Sequence, residues 1–160
     1  MSNINLNEQN ARVRARAFAL LAGRERSREQ LRQALLRSFP GQEAQVDLVL
    51  EEFKAKGWQS DERTNEQLGY KAQRMGWGPR RLAFQQKKNG LYDASFPEDV
   101  DWLELAYSAI SRRFGNCPEM VEPTLRLRIL RFLAGRGFTE EQARAACKRW
   151  VDADEDSESP

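Results

Sequence analysis

One pattern limits the fold of this chain more than any other. A helical run stops at a glycine, and a capped helix start follows within a few residues. Leu21-Ala22-Gly23-Arg24 returns 112 positions later as Leu133-Ala134-Gly135-Arg136. Ser27 then corresponds to Thr139, Glu29-Gln30 to Glu141-Gln142, and Arg32 and Ala34 to Arg144 and Ala146. Ser27–Gln30 and Thr139–Gln142 both have the form of a capping box, in which the first side chain and the fourth each satisfy a backbone N–H at the helix start. A weaker copy stands at an offset of 51, where Gly78-Pro79 takes the place of Ser27 and Leu82 that of Leu31. Self-similarity of this kind marks a repeat architecture.

The apolar spacing between these signals is helical throughout. Val13, Ala17, Leu20 and Leu21 share one face, as do Leu31, Ala34 and Leu35. After Pro40-Gly41, Val46, Val49, Leu50 and Phe53 form a third stripe, closed by Gly57. Ser60-Asp61-Glu62 caps a helix that buries Leu68, Ala72 and Met75, and Gly78-Pro79 opens the next. From Pro97, at the first helical position, a longer helix presents Leu103, Ala106, Tyr107, Ile110 and Phe114. Leu125, Ile129, Phe132 and Leu133 belong to the helix begun by Pro123. Ala143, Ala146, Cys147 and Trp150 are the last stripe. No alternating β-branched run is long enough for a strand. The expected fold is all-α, with a disordered lead at 1–10, a three-helix repeat at 11–58, a truncated one at 59–96, a third at 97–150 and an acidic disordered tail at 151–160. Gly90 to Val100 is short and carries Pro97, so the middle repeat is expected to have a shortened third helix.

Charge bears on function. The net charge is +2, but Asp152, Asp154, Glu155, Asp156 and Glu158 all fall in the last ten residues, with no Lys or Arg beside them. The body is therefore basic, which points to an anionic partner or to the negative surface of another protein. The chain contains no histidine, which excludes Ser-His-Asp and Cys-His catalysis and every His-ligated metal site. Cys117 and Cys147 are too far apart for a metal or redox motif and read as small buried hydrophobes in a reducing compartment. No Gly-rich phosphate loop is present. Catalytic residues, cofactors and metal ligands are expected to be none. The polar residues 1–10 do not resemble a signal peptide and no apolar run approaches the ~18 residues of a membrane span, so a cytoplasmic protein is expected.

The stretch Arg74-Met75-Gly76-Trp77-Gly78-Pro79-Arg80-Arg81-Leu82 is the leading binding candidate. Arg80 and Arg81 fall in the first turn of a helix, against its dipole, which suggests a partner outside the helix. Arg80, Phe84, Lys87 and Lys88 make a basic stripe with one aromatic on the side away from Leu82; a solvated face is the plain alternative. Arg24, Arg28 and Arg32, and Arg128, Arg131 and Arg136, offer similar strips. Trp77 is either a core residue beside the cap or an exposed anchor. The acidic tail reads as a solubilising end that could lie over the basic face. Glu51-Glu52 and the other acidic pairs stand beside bases, where salt bridging explains them.

Several stretches, taken in order, resemble the RecX family, bacterial regulators of the RecA recombinase. They are Leu20-Leu21 with Ser27-Arg28-Glu29-Gln30-Leu31, Gly57-Trp58 with Asp61-Glu62-Arg63, Gly76 to Leu82, Asp101-Trp102-Leu103-Glu104-Leu105-Ala106, Arg112-Arg113-Phe114-Gly115, and Arg131 to Phe138. Together they span about residues 11–150. The resemblance implies three tandem three-helix repeats in an elongated, curved array. It also implies a non-enzymatic monomer that binds in the helical groove of RecA–DNA filaments and inhibits recombinase, ATPase and co-protease activities. The departures lie in the middle repeat: Thr64-Asn65 stand where the family usually has Phe-Ala, and Gln86 where it has Leu. The alternative reading is a basic helix-turn-helix-repeat module that binds single- or double-stranded DNA through its basic face.

Overall fold

A computed structural model describes residues 2–155 of the chain. Among the described residues there are eight helices and no strand: α1 (Ser2–Gly23), α2 (Arg28–Ser38), α3 (Glu43–Ala55), α4 (Asp61–Met75), α5 (Pro79–Lys88), α6 (Trp102–Phe114), α7 (Pro123–Gly135) and α8 (Glu140–Glu155). None of these helices is long and apolar enough to cross a membrane. The chain divides into two compact units, one of residues up to 67 with 86–94, the other of residues 68–85 with 95 onward.

The helix starts follow the local chemistry. Ser27 accepts the Gln30 N–H at 3.1 Å, and the Gln30 side chain accepts the Ser27 N–H at 3.1 Å. Thr139 and Gln142 make the same reciprocal pair at 3.2 and 3.0 Å. Ser60 Oγ accepts the Arg63 N–H. The helix ends are equally regular. α3, α4, α5 and α7 are each followed by a positive-φ glycine, Gly57, Gly76, Gly90 and Gly137. The next residue, Trp58, Trp77, Leu91 or Phe138, donates its N–H back to a carbonyl of the last turn, which satisfies acceptors that a helix end otherwise leaves open.

In the first unit, α1, α2 and α3 pack on one another. Their cluster holds Val13, Ala17, Leu31, Leu35, Val46, Val49, Leu50 and Phe53, all buried. Each large side chain so buried stabilises the fold by about 1.5–3 kcal/mol before chain entropy is set against it. In the second unit, α8 packs against both α6 and α7, around Ala106, Ile110, Ile129, Leu133, Phe138, Ala146 and Trp150. The third helix is the shared element in both clusters, so α8 takes the packing place of α3. The sequence echo pairs α8 with α2 instead, because it tracks glycine-and-cap chemistry rather than position in the bundle.

Several expectations are corrected. Residues 2–10 are not a disordered lead but the first turns of α1. They contain neither Gly nor Pro, and Gln9 Nε2 donates to Asn5 Oδ1 one turn back. Residues 151–155 continue α8 rather than open a disordered tail, with Val151 packed against the last cluster; positions 1 and 156–160 lie outside the described residues. α6 begins at Trp102, not Pro97, because Asp101 supplies a carboxylate cap to the Glu104 N–H at 2.9 Å. The middle segment has no shortened third helix: residues 89–101 form turns and irregular chain, and only Leu91 is buried among them. Met75 and Leu103 are exposed, at 46% and 37%, so neither belongs to the core stripe it was assigned. Cys147 is buried, which pushes its thiol pKa up, while Cys117 is only half-buried.

Candidate partner-binding site

The predicted residues fall into three groups. Arg28 and Arg32 are engaged within the first unit. Arg28 pairs with Glu51, and Arg32 with Asp47, both at 2.8 Å. The hydrogen bond from Arg32 holds the Asp47 carboxyl below its ordinary range, and Arg14 does the same for Glu52. These arginines tie helices together and are corrected from open strip to structural bridge. Trp77 is likewise corrected. It is 6% exposed, and its ring lies beneath the Arg81 guanidinium at 5.0 Å, so it is a core residue and not a surface anchor.

The second group is exposed and carries no ion pair among the described residues: Arg24, Arg80, Arg81, Lys87, Lys88, Arg128 and Arg131. Phe84, on α5 with Arg80, Arg81, Lys87 and Lys88, is 63% exposed. The structure changes the argument for Arg80 and Arg81. The start of α5 is seated on the end of α7. Gly78 donates to the Arg136 carbonyl at 2.8 Å and Arg80 to the Gly137 carbonyl at 2.9 Å. The negative end of α7 therefore lies against the positive start of α5, and the two cations are compensated inside the fold. Their position no longer requires an outside partner. The contact also explains the glycine at 78, since a Cβ there would overlap the Gly137 carbonyl carbon and the Phe138 nitrogen.

The third group forms a concave site in the second unit. Arg74, Met75, Gly76, Leu105, Ala109, Arg112, Arg113, Phe132 and Arg136 line a cavity of about 300 Å³. Each side chain is set by its element. Arg74 and Met75 are the last residues of α4. Leu105, Ala109 and Arg112 recur at helical spacing along α6. Arg136 caps α7, donates to the Met75 carbonyl at 2.6 Å and stacks over Phe132 at 5.2 Å. Four guanidinium groups thus surround an apolar floor, and no carboxylate lines the cavity. Such a site suits an anion: guanidinium groups bind carboxylate and phosphate oxygens in pairs. It offers no metal set, and among the described residues no cluster of acidic or cysteine side chains could hold an ion.

Arg74 and Arg136 were among the expected residues; Arg112 and Arg113 were not. Two arginines in the last turn of a helix favour the dipole by themselves, so their sequence position carries no excess that asks for explanation.

No family model matches the chain. It is 41% identical over 131 residues to the regulatory protein RecX of Acidithiobacillus ferrooxidans, covering 81% of this chain and 85% of the relative. The RecX protein of Halorhodospira halophila is 37% identical over 154 residues, 91% of each chain. That of Acinetobacter baylyi is 34% identical over 131 residues, 79% of this chain and 80% of the relative.

Proposed function

Because the chain belongs to the RecX family of regulatory proteins, we propose that it is a cytoplasmic, monomeric, non-enzymatic regulator of RecA. It binds RecA–DNA filaments in their helical groove and inhibits recombinase, ATPase and co-protease activities. The identity to RecX regulators over four-fifths of the chain carries this reading. The unpaired cations of α5 and α7 and the arginine-rimmed cavity supply surfaces for it. We read the helices as three repeats, α1–α3, α4–α5 and α6–α8, the middle one without its third member. A recurrent contact supports this. The Gly90 backbone after α5 seats against Glu29 in the first turn of α2, with Ser27 Oγ donating to the Asn89 carbonyl. In the same way Gly137 after α7 seats against Arg81 in the first turn of α5.

The test is the ATPase of RecA filaments on single-stranded DNA. Added protein should lower it at substoichiometric ratio and should hydrolyse nothing itself; full turnover at equimolar protein overturns the proposal. A second reading, a nucleic-acid module, is favoured by one observation, the exposed Phe84 flanked by Arg80, Lys87 and Lys88 on α5. Salt titration separates the two, because neutralising Z phosphates of duplex DNA gives a log–log slope near about −0.9Z.

A further inference from the structure

The cavity beside the end of α4 combines an arginine rim with an apolar floor. We propose that it binds a short acidic peptide segment of a partner protein, with one large apolar side chain on the floor and flanking carboxylates on the arginine rim. This rests on the reading of the chain as a regulator that binds protein, and not on which protein that is.

Charge is the first argument. Arg14, Arg28, Arg32, Arg63, Arg144 and Arg149 each meet a carboxylate within 2.9 Å. The arginines of the cavity meet none among the described residues. Arg136 is anchored on the Met75 carbonyl and Arg113 leans over Phe114 at 5.7 Å, while Arg74 and Arg112 are exposed. Like charges gathered at one opening repel one another, at a cost that an anionic ligand removes.

The floor selects among anions. Met75, Leu105 and Ala109 are aliphatic, and the ring of Phe132 has the Arg136 guanidinium over it. Phe132 is the one aromatic ring in the lining, and with a guanidinium already over it it makes a poor platform for the base stacking that single-stranded nucleic acids use at such sites. A phosphate alone would engage the rim and leave the floor wet. A Leu-sized side chain would cover it, and about 300 Å³ is the lower end of ligand pockets, suited to one or two side chains. Met75, half-exposed at the rim, can adjust to the shape of what enters.

The experiment uses the full chain and fluorescence anisotropy. The probe is a fluorescein-labelled peptide with a single leucine among aspartates. Its controls are the same peptide with serine for leucine and an oligothymidylate of equal charge. The leucine peptide should bind, the serine peptide about tenfold more weakly, and Arg112→Gln with Arg113→Gln should weaken the leucine peptide by about tenfold or more. Both arginines are exposed, so circular dichroism of the variant should be unchanged. Equal binding of thymidylate and leucine peptide, or unaltered peptide binding by the folded variant, overturns the proposal. The filament ATPase distinguishes the two readings. A protein that suppresses it but binds no peptide removes the peptide site and leaves the regulator. A protein that binds the peptide but leaves the ATPase untouched does the reverse.

Discussion

The α1–α3 cluster and the α4–α5 pair are built from the same local signals and held by different forces. In α1–α3 the three helices close on Leu31, Leu35, Val46, Leu50 and Phe53, all wholly buried, and the ion pairs lie outside that core. On the three-repeat reading, the α4–α5 pair has no third helix. Its buried apolar residues, Leu68, Ala72, Trp77 and Leu82, belong to neither apolar cluster. What fixes the pair is polar and directional: the Gly78 and Arg80 N–H groups on the end of α7, the Arg136 guanidinium on the Met75 carbonyl, and Gln86 on Asn65 at 2.9 Å. Where apolar area is scarce, close backbone approach takes over, and it tolerates substitution poorly.

The largest effect should therefore come from a single methyl group in the middle pair. Gly78→Ala places a Cβ on the backbone of Gly137 and Phe138, where nothing flexible can move aside, and should destabilise by about 3 kcal/mol. Gly57→Ala, at the end of α3, meets no atom within 4 Å and carries only its φ of +70°, worth about 1 kcal/mol. Urea unfolding of both variants measures the difference. Equal losses would mean that the α5–α7 seat does not hold the middle pair, and the contrast between the two regions would fall.

The caps give a smaller effect of the same kind. Among the described residues Thr139 bonds only within its own helix start, and Thr139→Ala should cost about 1 kcal/mol. Ser27 is fully buried and does two things, accepting the Gln30 N–H and donating to the Asn89 carbonyl that follows α5. Ser27→Ala should cost about 2 kcal/mol, the cap plus a buried hydrogen bond. Midpoints that shift alike would show that the contact with Asn89 adds nothing.

This asymmetry also marks how far the sequence could be read. The capping boxes at Ser27 and Thr139, the cap at Ser60 and the glycine stop at Gly57 after α3 depend on neighbours in the chain and were legible. So was the all-helical class. The seat of α5 on α7 was not, because the residues it joins, 78 and 137, are distant and glycine announces only that room is needed. The same holds for the cavity. Arg74 and Arg136 stood out by composition, but Arg112 and Arg113 become part of a site only when α6 brings them beside residues nearly forty positions away in sequence. The first-turn arginines misled for a related reason: the dipole argument was sound for α5 alone and failed once α7 supplied the opposing charge.

Thr64 and Gln86 provide the finest test, because in sequence they look like polar errors in an apolar pattern. Both are buried, at 7% and 4%, and both are bonded. Gln86 Nε2 on α5 donates to Asn65 Oδ1 on α4, at the two positions where the family resemblance leads one to expect Leu and Ala. The two departures from the pattern thus compensate each other. If that is so, restoring one apolar residue should not restore stability. Gln86→Leu gains apolar contact but takes the Nε2 donor from Asn65, and should destabilise by about 1 kcal/mol. Adding Asn65→Ala removes the acceptor of that same bond, so the double variant should be more stable than the sum of the single changes by about 1 kcal/mol. Urea unfolding of the two single variants and the double variant gives the coupling, and amide exchange in α5 locates it. A Gln86→Leu variant more stable than the natural chain, with no coupling to Asn65, would mean that apolar packing governs the middle pair as it governs α1–α3.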